Sequence, residues 1–303
     1  MHKIPLLLSY LPKTALWGGG QLQALFQKES PFEKLSETWE LSVREGNDSR
    51  ILNGPDQGKT LREYLGPAHR PFPLLIKFID AADRLSVQVH PDDAYAAREH
   101  DQGKTELWHI LRAKPGAEII YGLREGAGPA AFKEALQAGR LDTVLHHQPV
   151  SAGETYFIPA GMVHGIGAGI VVAEIQQNSD LTYRVYDYGR RDQNGRLRPL
   201  QIDQALSVIR PFTPEQIRAI QFARGETGLA NCPYFSVELL HAPVAGRADR
   251  FTVLLATGGS GAIIKGGCRL PLQAGNCCFL PDQMGDYEIN GDLTFLKVKE
   301  NLT

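Results

Sequence analysis

The segment Gly153-Glu-Thr-Tyr-Phe-Ile-Pro159-Ala-Gly161-Met-Val-His164-Gly165 decides the fold. Gly153, Pro159, Gly161 and His164 stand in the pattern Gly-x5-Pro-x-Gly-x2-His. Thr155–Ala160 carries the β-branched and aromatic residues of a strand. Pro159 and Gly161 punctuate it with a turn. His164 then opens the next strand and faces inward. Two short strands joined by such a turn, with an imidazole at the start of the second, suit a β-barrel wall that holds a ligand or a metal.

Outward from this segment, more strands are expected at 38–43, 73–80, 84–90, 106–112, 117–123, 169–177 and 181–188. Helical spacing interrupts them at 91–100, 129–139, 202–209 and 213–221. The last of these has Thr213 as its cap and Pro214 at its first position. From about residue 233 short apolar runs with glycine turns return. The expected architecture is mainly β, with a first barrel carrying helical segments over 1–228 and a second, smaller β-barrel over 229–303.

Composition bounds the function. The chain has 303 residues, a net charge of −2 and 43% hydrophobic residues. Such a balance gives no global attraction to nucleic acid or to an anionic membrane. No apolar run approaches the length of a membrane span. Pro5, Pro12 and Lys13 break up the apolar N-terminal stretch, so no leader and a cytoplasmic location are expected. Cys232, Cys268, Cys277 and Cys278 form no Cys-x-x-Cys pair and are expected to be free thiols.

Three further segments bring chemistry to the barrel. In LSVQVHPDD, Gln88 and His90 lie two apart on a strand, so their side chains share a face and Val87 and Val89 take the other. In GKTELWHIL, Lys104 and Glu106 repeat that spacing; such a pair is as commonly a surface salt bridge. In EIQQNSDLTYRVYDYGRR, the Asn178-Ser179-Asp180 turn leads into a strand where Asp180, Thr182 and Arg184 alternate onto one face. An inward Arg184 is costly without an anion, and an Asp180–Arg184 pair is the structural alternative. Gln88, His90, Glu106 and His164 together offer nitrogen and oxygen donors without thiolate, a set that suits Zn²⁺ and also admits Fe²⁺, Mn²⁺ or Co²⁺. His69, His100, His109, His146 and His147 are expected to be hydrogen-bonded or exposed. His109, three residues after Glu106, falls on the opposite face of its strand.

The Gly153–His164 spacing is similar to the second metal motif of the cupin family, with Ala168 where an asparagine is usual. Taken with ALWGGGQL (15–22), SETWELS (36–42), LSVQVHPDD, GKTELW and EIQQNSDLTYRVYDYGR, the chain resembles the type I phosphomannose isomerases, and within them the short bacterial branch. The resemblance covers residues 5–200 well and the C-terminal barrel loosely. It implies a cupin (jelly-roll) barrel with one zinc ion per chain at Gln88, His90, Glu106 and His164, and a catalytic arginine at Arg184. It implies proton transfer or substrate polarisation at Lys104 and Asp180, and a pocket lined by Ser86. The implied reaction interconverts mannose 6-phosphate and fructose 6-phosphate through a cis-enediol. Thr105 stands where many members have proline, and Gly103 where longer members have a histidine, which leaves sugar-ring opening without a catalyst. The alternatives are a non-catalytic sugar-binding cupin, a metal-dependent dioxygenase, and an isomerase of another sugar.

Overall fold

The computed structural model describes residues 3–67, 71–191 and 194–301; His69 lies outside them. Two antiparallel sheets form the first β unit. One has six strands, in the order Thr155–Ile158, Glu106–Ala113, Ile170–Gln177, Leu74–Ala81, Glu37–Leu41, Leu11–Lys13. The other has five, in the order Leu145–Pro149, Glu118–Leu123, His164–Ile166, Val87–Val89, Tyr183–Tyr186. They close on each other as a jelly roll. Tyr121 of the five-stranded sheet donates its hydroxyl to the Phe157 carbonyl of the six-stranded one at 2.9 Å.

The strand patterns explain which way each sheet turns. LLIKFIDA and IVVAEIQQ are nearly continuous apolar runs because both faces are covered, and all eight residues of each are buried. One face, with Ile76, Phe78, Leu107 and Ile175, belongs to the largest core cluster. The other face carries Lys77, Glu174 and Glu106 into the barrel interior. The outer face of the five-stranded sheet, with Val87, Val89 and Ile120, packs under Phe132 of the helix Pro129–Gln137 and Ala205 and Val208 of the helix Ile202–Val208.

The C-terminal unit is an eight-stranded sheet dominated by two long strands, Thr252–Lys265 and Gly285–Glu300, paired along most of their length. Alternation divides their side chains between two cores. Leu254 and Phe295 point into the unit's own interior, whereas Val253, Leu255 and Leu296 join the largest cluster, shared with the first unit. Just past a register shift between Ala256 and Gly258 the two paired strands approach closely. A Cβ on Gly259 would lie 1.8 Å from the Asp292 carbonyl oxygen, and its φ is +70°. Only glycine meets both demands. The N-terminal strand Leu6–Leu8 pairs with Cys277–Leu280, so the start of the chain is woven into this sheet.

Most expected elements form at or near the expected positions. Thr213 caps the helix Pro214–Gln221 with a full capping box. The stretch 91–100 is tighter than expected, a short α-helix Asp93–Ala96 running into a 3₁₀ turn Ala97–Glu99. The four cysteines are free. Among the described residues no helix is long and apolar enough to cross a membrane.

Candidate metal centre

Strand register assembles the site. His164 stands opposite Gln88 on one neighbouring strand and Tyr121 on the other. Gln88 in turn faces Arg184 across its other edge. Residues in one such row share a face, so Arg184, Gln88 and His164 line the same wall. His90 follows directly after Val89. From the opposite sheet comes Glu106, in register with Gln176. His90, Glu106 and His164 are all buried, with ligating atoms within 4.8 Å of one another.

The separations suit a metal ion. His164 Nε2 lies 3.3 Å from Glu106 Oε1, and His90 Nε2 lies 3.6 Å from Glu106 Oε2. Two ligands on a tetrahedral ion, each at about 2.0–2.1 Å, are about 3.3 Å apart. The hydrogen bonds behind the rings fix which nitrogen faces inward. His90 Nδ1 meets the Leu181 carbonyl at 2.7 Å and His164 Nδ1 meets the Met162 carbonyl at 2.8 Å. A carbonyl can only accept, so Nδ1 carries the proton and each Nε2 lone pair points into the site. His90 Nε2 and both Glu106 carboxylate oxygens are buried without a hydrogen-bond partner. Leaving three such atoms unsatisfied is costly, and a divalent cation is the group that would satisfy all three at once. The Gln88 amide reaches the same point, 3.3 Å from His164 Nε2, and a half-turn about its last torsion presents its oxygen instead. The residues therefore fit a metal with N₂O₂ ligation.

Electrostatics point the same way. Burial holds His164 down to about 4, and burial with the nearby Lys104 charge holds His90 well below the usual imidazole range. Both rings are thus neutral ligands at physiological pH. Burial, together with the neighbouring Glu174 charge, pushes Glu106 up, against the pull of Lys104 and Lys77. Lys104, only 5% exposed, sits 3.7 Å from Glu106 Oε2.

The structure adds two interior charges that sequence reading had passed over. Lys77 Nζ contacts Glu174 at 2.9 Å and lies 4.0 Å from Glu37. Trp108 Nε1 donates to the other Glu174 oxygen at 3.0 Å. Burial alone would lower Lys77, but Glu174 and Glu37 more than offset it and its pKa is raised. Burial alone would raise Glu174, but Lys77 and Lys104 outweigh it and hold the carboxylate low. The available signal was one charge in the middle of each of two apolar strands.

Arg184 lies on the wall beside the ligands. Its Nε donates to Ser86 Oγ at 3.1 Å, and Ser86 Oγ reaches the Gln88 amide oxygen at 3.3 Å. Burial lowers Arg184, and the Arg198 charge adds to this. Arg190 and Arg198 both meet Asp187, the latter at 3.6 Å, Arg190 also lies 3.9 Å from Asp83, and the Asp187 charge acts on Arg184 as well.

Asp180 departs from expectation. It is exposed and makes no ion pair with Arg184 among the described residues. Its N–H donates to Asp101 Oδ2 at 3.4 Å, and it borders an open cavity of about 880 Å³ with Trp39, Arg44 and Asp101. The strand starts only at Tyr183. Before it, Asn178 N donates to the Pro73 carbonyl, and the Ser179 carbonyl accepts from Gln176 Nε2. These bonds break the alternation that would have put Asp180 beside Arg184. The Asp180 charge still helps hold Lys77 protonated. His109 does turn away from the site, bonding Thr155 Oγ1 at 2.9 Å.

Known proteins share this sequence and this fold. The family description "Phosphomannose isomerase type I, catalytic domain" matches residues 6–109, and "Mannose-6-phosphate isomerase, cupin domain" matches residues 225–299. A mannose-6-phosphate isomerase of Streptococcus mutans is 35% identical over 98% of both chains. The chain belongs to the type I phosphomannose isomerase family. Another relative, a probable mannose-6-phosphate isomerase of Bacillus subtilis, is 36% identical over 96% of this chain and 98% of its own. The crystal structure of a mannose 6-phosphate isomerase from Bacillus subtilis superposes with a TM-score of 0.87 at 31% identity, covering 97% of this chain and 99% of its own. A zinc-bound mannose 6-phosphate isomerase, 16% identical with a TM-score of 0.72 over 98% of this chain and 100% of its own, shares the fold. In this phosphomannose isomerase fold, the first β unit is the one that brings Gln88, His90, Glu106 and His164 together.

Proposed function

We propose that this chain interconverts mannose 6-phosphate and fructose 6-phosphate, using one zinc ion held by Gln88, His90, Glu106 and His164. One observation carries the proposal: two neutral imidazoles and a carboxylate converge in a buried site with their ligating atoms otherwise unpartnered. Relatives that this chain matches over nearly its whole length bear the name of that activity.

The reaction moves a proton between C1 and C2 of the open-chain sugar. When bound, zinc supplies a Lewis acid that stabilises negative charge developing on the sugar oxygens. Lys104, on the interior wall beside Glu106, is the proton carrier. Arg184, tied to Ser86, orients the sugar and stabilises the charge of the enediolate. Lys77 and Glu174 form a fixed ion pair that sets the field on Glu106. Asp180, at the rim, supports the Lys77 charge. Arg184, Arg190 and Arg198 stand near Asp187 and Asp83, which leaves one net positive charge to attract a sugar phosphate group. The enclosing strands exclude water from the proton in transit.

The metal-binding unit spans 1–228 in this proposal, and the C-terminal unit, 229–303, holds no metal and braces the first. The location is cytoplasmic. The test is a coupled assay with mannose 6-phosphate, before and after chelation, beside elemental analysis. Activity should vanish with the metal and return with zinc at about one equivalent per chain. Full activity in metal-free protein would overturn the proposal.

A further inference from the structure

We propose that a second site, on the reverse side of the metal-bearing strands, binds a neutral monosaccharide. A separate cavity of about 290 Å³ opens there, at the small end of the range for ligand pockets. Its back wall includes Val87 and Gly165. Each is one residue from a member of the metal-site wall, Gln88 and His164, and alternation puts it on the other face. The site is therefore distinct from the metal centre although the same two strands separate them.

The cavity is two-sided in its chemistry. One wall is aromatic. Tyr186, 42% exposed, and Tyr188 meet edge to face with ring centroids 4.8 Å apart. The Arg84 guanidinium lies 3.7 Å over the Tyr188 ring. Tyr188 holds a φ of +57°, a conformation uncommon for a bulky residue and more often met where a side chain is aimed for use. Across the cavity, His147 bridges two carboxylates, with Nδ1 at 2.6 Å from Glu118 and Nε2 at 2.8 Å from Asp142. Each carboxylate is held through one oxygen and keeps its second as an acceptor. Between these walls the floor is apolar, with Ile120 and Leu145.

A pyranose has this two-sided character. Its C–H face stacks on an aromatic ring and on aliphatic side chains, and its hydroxyls donate to carboxylates held in place beforehand. The Glu118 and Asp142 carboxylates, each already bonded to His147, are fixed acceptors that favour hydroxyl donors over the oxygens of a phosphate. This inference stands apart from the isomerase proposal, since it rests on different residues.

The test is calorimetric titration of the zinc-loaded full chain with D-mannose, in the absence and presence of saturating mannose 6-phosphate. The expected result is binding on the order of millimolar that persists with the phosphosugar present. Tyr186→Ala, which removes the stacking ring, and Ala168→Trp, which places an indole at the exposed mouth, should each weaken it by at least about tenfold. Both positions are exposed and neither belongs to the metal centre, so the isomerase rate should be unchanged. Because the two variants report on this cavity directly, the result does not depend on what the metal centre binds. Undetectable mannose binding, or binding indifferent to both variants and displaced by mannose 6-phosphate, would overturn the proposal. Binding of adenosine without any of the sugar would overturn the ligand class.

Discussion

At the residue scale, two charged groups inside the barrel lend themselves to decisive substitution. Arg184→Ala removes the guanidinium that Ser86 holds beside Gln88, without touching a ligating atom. It should lower kcat by about 10²–10³-fold, the usual effect of losing one group that stabilises developing charge, with zinc still near one per chain by elemental analysis. An active Arg184→Ala enzyme would take that role away. Lys77 is a different case. Lys77→Met leaves Glu174 buried without its ion-pair partner and should cost about 3–5 kcal/mol in urea unfolding. The double variant Lys77→Met/Glu174→Leu removes both charges and should recover most of that loss, although activity stays low. If the double variant were no more stable than the single one, the ion pair would not be what pays for the buried carboxylate. These residues also mark the limit of sequence reading. Gln88 with His90 and Lys104 with Glu106 were legible because alternation along a strand is a local property, and His164 because its spacing from Gly153, Pro159 and Gly161 is local too. Lys77 and Glu174 were not, because their meeting depends on the register between two strands far apart in sequence. Asp180 was misplaced for a related reason: hydrogen bonds to Pro73 and from Gln176 end the alternation before it.

At the element scale, the strands that read clearly were those with period-two patterns or long apolar runs, such as Glu106–Ala113 and Ile170–Gln177. Leu145–Pro149 went unread. Its sequence, LHHQP, is polar, and it forms an edge strand paired on one side only, where burial imposes no pattern. The helix Gln21–Phe26 was also missed, since a six-residue helix without a side-chain cap leaves little local signal. In the C-terminal sheet the decisive local feature is the close approach of the two long strands at Gly259. Gly259→Ala brings a methyl carbon to 1.8 Å from a backbone oxygen and demands a positive φ of an alanine. Backbone must move to relieve this, and the cost should exceed about 2 kcal/mol, above the range of ordinary surface changes. Gly266→Ala is the control. It also has a positive φ, but nothing lies within 4 Å of the added carbon, so it should cost only about 1 kcal/mol. Thermal or urea unfolding of the two variants side by side measures the difference. Equal losses would mean that strain in φ, and not the close approach, sets the demand for glycine.

At the scale of the whole molecule, the two β units are bound by a common core. The outer face of the six-stranded sheet, with Phe78, Leu107, Phe157 and Ile175, lies in the same cluster as Phe235, Val253, Leu255 and Phe279 of the C-terminal sheet. Phe72 stacks on Phe251 at 5.2 Å. Lys28 adds a polar tie, bonding Glu40 at 2.8 Å and the Gly275 carbonyl at 2.6 Å. Four large apolar side chains returned to water, at about 1.5–3 kcal/mol each, cost about 6–12 kcal/mol. That is comparable to the whole stability of a typical domain, about 5–15 kcal/mol. A chain ending at residue 228 would bare this face, and its strand Leu6–Leu8 would lose its partner, Cys277–Leu280. Such a chain keeps every proposed metal ligand, yet it should fail to hold zinc, bind the dye ANS strongly and aggregate, while the full chain unfolds in one cooperative transition. Dialysis against zinc followed by elemental analysis, with calorimetry of the full chain, distinguishes this from a barrel that stands alone. If the truncated chain bound one zinc and remained monomeric, the C-terminal sheet would be dispensable to the fold and the shared core would owe its burial to something other than stability.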